Sequence, residues 1–134
     1  MMPQALADRA AIVDLVHLYA QAADLSDFDA LVGCFTQDAV LEMASGTLDG
    51  REAIRVAITP AGGRPFDHST HVIANITLRL DGDNATGETL AVAHLIGPGE
   101  RIVTKGIGYT DLFRRTAEGW RISRRRHRTC WQVG

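Results

Sequence analysis

The chain has 134 residues, of which 46% are hydrophobic and 22% charged, with a net charge of −2. That length suits one domain with a real core, and the composition excludes a disordered chain. Its only cysteines, Cys34 and Cys130, lie far apart with no CxxC, which excludes a cysteine-based zinc site or a disulfide scaffold.

Leu6, Ala10, Val13, Val16, Ala20 and Ala23 recur at three- and four-residue steps and predict an amphipathic helix over residues 5–23. "LSDFDALVGCF" then offers caps at Ser26 and Asp27 before a short helix carrying Phe28, Leu31, Val32 and Phe35. "DAVLEM" (38–43) has strand character, "SGTLDG" reads as a turn, and "REAIRVAIT" from Arg51 reads as a third, short helix. Residues 60–65, "PAGGRP", read as a loop.

Beyond this loop the period changes. "HSTHVIANITLRL", "ATGETLAVAHLI", "RIVTKGIGYTDLFRR" and "GWRISRRRHRTCW" are β-rich runs separated by "DGDN", "GPGE" and "TAE". Such short connections force an antiparallel meander. Gly106 and Gly108 fall on one face of the third run, where a twisted sheet can bend. The expectation is an α+β fold, one domain over residues 1–134. A curved, mainly antiparallel sheet would wrap as a cone-shaped barrel against the long N-terminal helix, with two shorter helices.

The charge is uneven along this order. Residues 1–100 carry 5 Lys/Arg against 14 Asp/Glu, and residues 101–134 carry 9 against 2. A dedicated nucleic-acid binder is basic over a whole domain and adds aromatics for stacking. Here the basic run follows Trp120 and Ile122 and reads as a strand whose arginines answer acids on neighbouring strands. No nucleic-acid partner is expected. No signal-peptide pattern occurs, and no apolar run approaches the ~20 residues that span a bilayer. A cytoplasmic protein without a membrane partner is the expectation.

"LADRAAIVDLVHLYAQAADLSDFDALVGCFTQDAVLEM", followed by "LDGREAI", "HSTHVIANITL" and "GWRISRRR", resembles a SnoaL-like domain of the nuclear-transport-factor-2-like superfamily. The resemblance covers nearly the whole chain and implies the same cone-shaped fold. That scaffold hosts dehydratases, isomerases, cyclases, dehydrohalogenases and non-catalytic pocket proteins, so function must be argued from the site. Scytalone dehydratase, the bile-acid dehydratases and hexachlorocyclohexane dehydrochlorinase look similar in motif. They share an aspartate at the end of the first helix and a histidine early in the first long strand, here Asp24 and His71. Tyr19 stands five residues before Asp24, a spacing similar to that of the bile-acid enzymes, and His94 lies near a second histidine of scytalone dehydratase. The chain departs from scytalone dehydratase at Ala23 and Met43, where that enzyme has tyrosines, which argues against the scytalone reaction itself.

The residues can also be weighed on their own chemistry. Ser26, Asp27 and Asp29 are already available as helix caps, so Asp24 is redundant in that role, and the family resemblance implies that it is a pocket carboxylate rather than a turn acid. Alternation puts Val72, Ala74, Ile76, Leu78 and Leu80 on one face of their strand, with His71, Ile73, Asn75 and Thr77 on the other. His71 would then face either water or a polar-lined cavity; on the concave face of a cone-shaped sheet it would face the cavity, within hydrogen-bond reach of Asp24 directly or through one water. Five residues turn an ideal helix by about 140°, so Tyr19 meets Asp24 only if the helix ends first. His94 shares a face with Leu90, Val92 and Ile96; Tyr109 and Asp111 share one with Ile107 and Phe113. Whether Tyr109, Asp111 or the arginines of residues 121–128 reach the cavity is left open by the sequence. Met43, Phe66, Tyr109, Phe113 and Trp131 are the residues expected to touch substrate. His68 and His71 fall on opposite faces, and no HExxH or GxGxxG occurs, so no metal and no cofactor are expected.

These residues suggest a small cofactor-independent lyase or isomerase that abstracts a proton from a mostly apolar cyclic substrate, such as a polyketide, steroid or aromatic catabolite. His71 would be the base, Asp24 its orienting partner, and Tyr19 and His94 hydrogen-bond donors. The alternative is a non-catalytic ligand-binding or assembly module, like the small subunit of a ring-hydroxylating dioxygenase. Association through the open sheet into a homo-oligomer, dimer or trimer, is expected by analogy.

Overall fold

The computed structural model describes residues 3–60 and 66–134. Helix α1 (Pro3–Leu25) runs two residues past each expected end. Proline is tolerated in its first turn, where backbone N–H groups lack intrahelical partners, and Ser26 ends it with φ 55°. Asp27 then caps α2 (Phe28–Gly33) by accepting the Ala30 N–H at 3.1 Å. Of the two expected caps, Ser26 therefore terminates one helix while Asp27 starts the next.

Strand β1 (Phe35–Met43) begins three residues before the expected 38–43. The segment expected as a turn forms β2 (Gly46–Asp49), and α3 (Arg51–Ile58) follows. Of the expected loop at 60–65, residues 61–65 lie outside the described residues. The four long runs become β3 (His68–Asp81), β4 (Asn84–Ile96), β5 (Ile102–Thr116) and β6 (Gly119–Val133).

All six strands join one curved sheet in the order β2-β1-β6-β5-β4-β3. Every neighbouring pair is antiparallel except β1 and β6, which run parallel. Three one-residue bulges interrupt the alternation: Ala74 in β3, Ser123 in β6 and Cys130 in β6. Each switches the faces of all residues beyond it. The face toward α1 carries the core, including Ile12, Val16, Phe35, Leu41, Ile54, Phe113 and Ile122.

A buried carboxylate fastens the start of α1 to the β5–β6 hairpin. Asp8 accepts from Arg115 Nη1 and Nη2 at 2.8 and 2.7 Å, from Trp120 Nε1 at 3.1 Å and from Gln4 at 2.9 Å. The Arg115 guanidinium, helped by the other donors, holds the Asp8 carboxyl well below the usual carboxylate range. A folded-state pKa below the unfolded one stabilises fully above the unfolded value of about 4, and this stabilisation is lost as pH falls. Melting temperature measured against pH should therefore fall on the acid side. Asp8→Asn should lower the plateau at neutral pH and flatten that acid limb; an unchanged limb would show the cluster to be electrostatically silent.

Gly106 makes room on the convex face for Trp131, whose indole would overlap a Cβ built there. Gly106→Ala should push the half-exposed Trp131 into water, a red shift in tryptophan emission with little loss of stability. Trp120 is buried and should contribute an unchanged signal.

Candidate functional site

The last turn of α1 lies over the start of β3, and this brings together two residues 47 positions apart. His71 Nδ1 stands 2.6 Å from Asp24 Oδ1. The same carboxylate accepts the His71 backbone N–H at Oδ2 (2.8 Å) and the Ser69 hydroxyl at Oδ1 (2.9 Å). An ionised carboxylate is acceptor-only, so Nδ1 carries the hydrogen and Nε2 presents its lone pair away from Asp24. The side chains of His71 and Asp24 are 16% and 23% exposed, which leaves this edge reachable. The bulge at Ala74 matters here. It puts His71 and Ile73 on the same covered face as Ile76, Leu78 and Leu80, whereas strict alternation would have separated them.

Below the dyad, the covered face carries a buried ion pair sandwiched by two phenols. Arg125 donates through Nε and Nη2 to Asp111 at 2.8 and 2.9 Å, and neither side chain has any solvent exposure. The guanidinium carbon lies 4.4 Å from the Tyr19 ring centroid and 3.9 Å from that of Tyr109. The two rings meet edge to face at 6.0 Å, and Tyr19 also meets Phe35 at 5.8 Å. Burial pushes both phenols up from their ordinary value against the opposing pull of Arg125, so both stay protonated near neutral pH. Burial likewise pushes the Cys34 thiol up to about 11, which removes it as a nucleophile.

Residues 4–126 match the sequence profile of the SnoaL-like domain family. The chain belongs to that family. An uncharacterised protein of Mycobacterium tuberculosis is 34% identical over 131 residues, which cover 95% of this chain and 88% of the relative. Two solved structures from Novosphingobium aromaticivorans superpose closely. One, provisionally assigned as a scytalone dehydratase, is 20% identical with TM-score 0.90, covering 99% of this chain and 91% of that one. The other, provisionally assigned as an aromatic ring hydroxylase, is 30% identical with TM-score 0.87, covering 100% and 96%. LinA, a hexachlorocyclohexane dehydrochlorinase, is 25% identical with TM-score 0.83, covering 96% and 89%. The SnoaL-like fold thus carries, among its structural neighbours, proteins named for elimination chemistry, on the cystatin-like scaffold of the nuclear-transport-factor-2-like superfamily.

Within this SnoaL-like frame the expected site residues fall into two groups. Asp24, His71, Tyr19 and Tyr109 line the covered face at the end of α1. Tyr19 reaches it by pointing at Arg125 rather than at Asp24, because α1 continues through Leu25. Phe66 is half-buried near Gly97, and Met43 stands at the exposed end of β1. Three expectations need correction. His94 is exposed on the opposite face, 3.2 Å from Thr104 Oγ1, because the buried positions of β4 are the alternate ones, Ala85, Gly87, Thr89, Ala91 and Ala93. Trp131 is turned to that same outer face by the bulge at Cys130. Phe113 is packed inside the hydrophobic core, 1% exposed, and is a structural residue.

Sequence reasoning missed Arg125 and His127. Both sit in a run of basic residues whose other members lie outward or pair with acids: Arg124 with Glu42, and Arg128 with Glu88 while also donating to the Thr110 hydroxyl. The extra residue Ser123 turns Arg125 and His127 inward, and a bulge leaves no signal in an arginine-rich run.

Proposed function

We propose that this SnoaL-like protein is a cofactor-independent lyase or isomerase that abstracts a proton from an apolar cyclic substrate lodged beside the end of α1. The observation that carries this reading is the 2.6 Å contact between Asp24 and His71, locked by two further hydrogen bonds to the same carboxylate. A histidine held in one tautomer by a buried-edge carboxylate is a general base ready for use. His71 Nε2 takes a proton from carbon, and Asp24 stabilises the imidazolium that forms. The electron pair of the broken C–H bond becomes a new C=C bond. In an elimination the leaving group departs with its own bonding pair; in an isomerisation the imidazolium returns the proton at another carbon. The elimination chemistry for which LinA is named supports this reading.

The test needs no knowledge of the natural leaving group. With 2-tetralone, an apolar bicyclic ketone with acidic hydrogens, the protein in D2O should exchange the ring hydrogens next to the carbonyl faster than buffer, followed by proton NMR. His71→Ala should return the rate to the buffer value, a loss of roughly 10²- to 10⁴-fold. Exchange no faster than in that variant would favour a non-catalytic ligand-binding role for the same site.

A further inference from the structure

The starts of β1 and α3 and the β5–β6 hairpin border a cleft of about 270 Å³ that shares no residue with the Asp24–His71 site. Three arginines line it, Arg51, Arg114 and Arg121, together with the hydroxyls of Thr36 and Thr116 and one acid, Glu118. Arg114 and Arg121 are direct partners across the β5–β6 ladder, so their side chains leave the same face side by side. Like charges placed opposite each other weaken a ladder, and this pair works against the hairpin unless an anion lies between them.

The three cations differ in what already answers them. Arg114 donates from Nη2 to Asp38 Oδ1 at 2.6 Å, and that carboxylate also accepts the Thr36 hydroxyl at 2.9 Å. Arg51 turns Nε and Nη2 onto the Phe35 backbone carbonyl, and Arg121 donates from Nη1 to the Trp120 carbonyl at 2.8 Å. Among the described residues neither has a carboxylate partner, so these bonds anchor both guanidiniums without neutralising them. Donors are also left over. Arg51 Nη1 and Arg121 Nη2 hydrogen-bond no described residue, and Arg121 Nε is buried without a partner among them. A guanidinium carries five N–H donors, and partnerless ones in a native fold call for an acceptor.

We propose that this cleft is an anion-binding site, separate from the dyad, whose ligand is a phosphate group held between Arg51 and Arg121. A tetrahedral dianion offers oxygens to two separate guanidiniums at once, whereas a planar carboxylate is matched by a single fork. The cleft falls just below the roughly 300 Å³ at which pockets for whole organic ligands begin, so it admits the phosphate group and leaves any attached organic part outside. The bound anion offsets the repulsion between Arg114 and Arg121 and joins α3 to the β5–β6 hairpin, so binding stabilises the fold.

Titration of the whole protein with inorganic phosphate tests this, with ionic strength held constant by sodium chloride so that general screening does not change. The amide NMR signals of Thr36, Arg51 and Arg121 should shift saturably with a Kd of about 1 mM, the scale of two charge-assisted hydrogen bonds. Arg121→Gln should weaken binding about tenfold or more, and so should Arg51→Gln, which keeps the test open if the first variant folds poorly. Arg79→Gln removes an exposed positive charge from the edge strand β3 and should leave Kd unchanged. Acetate should bind about tenfold more weakly than phosphate. Phenyl phosphate separates the two sources of the ligand. Binding as tight as that of inorganic phosphate assigns the site to the phosphate group of a larger molecule, and weaker binding assigns it to the free ion. Shifts that grow linearly without saturating, or that spread over the whole surface, overturn the proposal. So do acetate binding equal to that of phosphate, an unchanged Kd in both Arg121→Gln and Arg51→Gln, and an equal loss in Arg79→Gln.

Discussion

Asp111→Asn should destabilise the fold by about 3–5 kcal/mol, the usual consequence of removing one partner from a buried ion pair. Arg125 and Asp111 are both fully buried and joined by two parallel hydrogen bonds. Burial by itself disfavours the Arg125 charge, and the Asp111 carboxylate outweighs it, holding the guanidinium firmly protonated. The asparagine variant would therefore carry an uncompensated cation in the interior. Arg125→Met creates the opposite fault, a buried carboxylate, and also removes the cation lying against Tyr19 and Tyr109. Urea unfolding of both variants should show midpoints well below the wild type with little change in slope.

The double variant Asp111→Leu/Arg125→Met separates the meaning of that loss. If the singles fail because a charge is stranded, the double should lose less than either single. If they fail because the site needs the ion pair's shape, the double should lose about as much as their sum. The pair also matters for the site above it. It fixes the positions of both phenol rings, and those rings form the floor beneath the Asp24–His71 dyad. A wild-type unfolding midpoint for Asp111→Asn would mean that water reaches the pair and that the floor is not rigid.

The same few residues show what could be read from the chain and what could not. The three- and four-residue spacing from Leu6 to Ala23 marks α1 as a helix, since an apolar stripe is a local property, but its buried face is Asp8, Ile12, Leu15, Val16, Ala20 and Ala22, with Leu6 55% exposed. The four long strands were legible for the same reason, because short turns dictate antiparallel neighbours. The parallel pairing of β1 with β6 joins segments about 85 residues apart in order and leaves no local trace. β2 is four residues of largely exposed chain and looks like the turn that it extends. Bulges caused the remaining errors. Period-two reasoning assumes an unbroken ladder, and Ala74, Ser123 and Cys130 each reverse it. Val72 was thereby assigned to the apolar face and is in fact 49% exposed, while Arg125 was hidden among outward arginines. Asp24 stood out because nearby residues already filled the capping role, and Asp27 does cap α2. Its meeting with His71 is a long-range event that the family resemblance, and not the residue pattern, supplied.

Asp24→Asn should reduce 2-tetralone exchange by roughly 10²-fold or more, close to the loss expected for His71→Ala. An asparagine at this position still offers one oxygen, but its amide nitrogen would face a donor where the carboxylate now accepts three hydrogen bonds. That has two separable consequences. The imidazolium formed during proton abstraction loses its counter-charge, which slows the chemical step. The stranded donor also costs about 1–3 kcal/mol of stability, so the variant should melt below the wild type while remaining folded at 25 °C. His71→Ala keeps the backbone N–H to Asp24 and the Ser69 contact, so it should be the more stable of the two and at least as inactive. The decisive comparison is the double variant Asp24→Asn/His71→Ala. Residues that act as one catalytic unit are strongly non-additive, so the double should exchange at the same buffer rate as His71→Ala alone. If instead His71→Ala keeps exchange above the buffer rate that the double variant loses, Asp24 acts on the substrate independently of the histidine, and a dyad is the wrong description of this site.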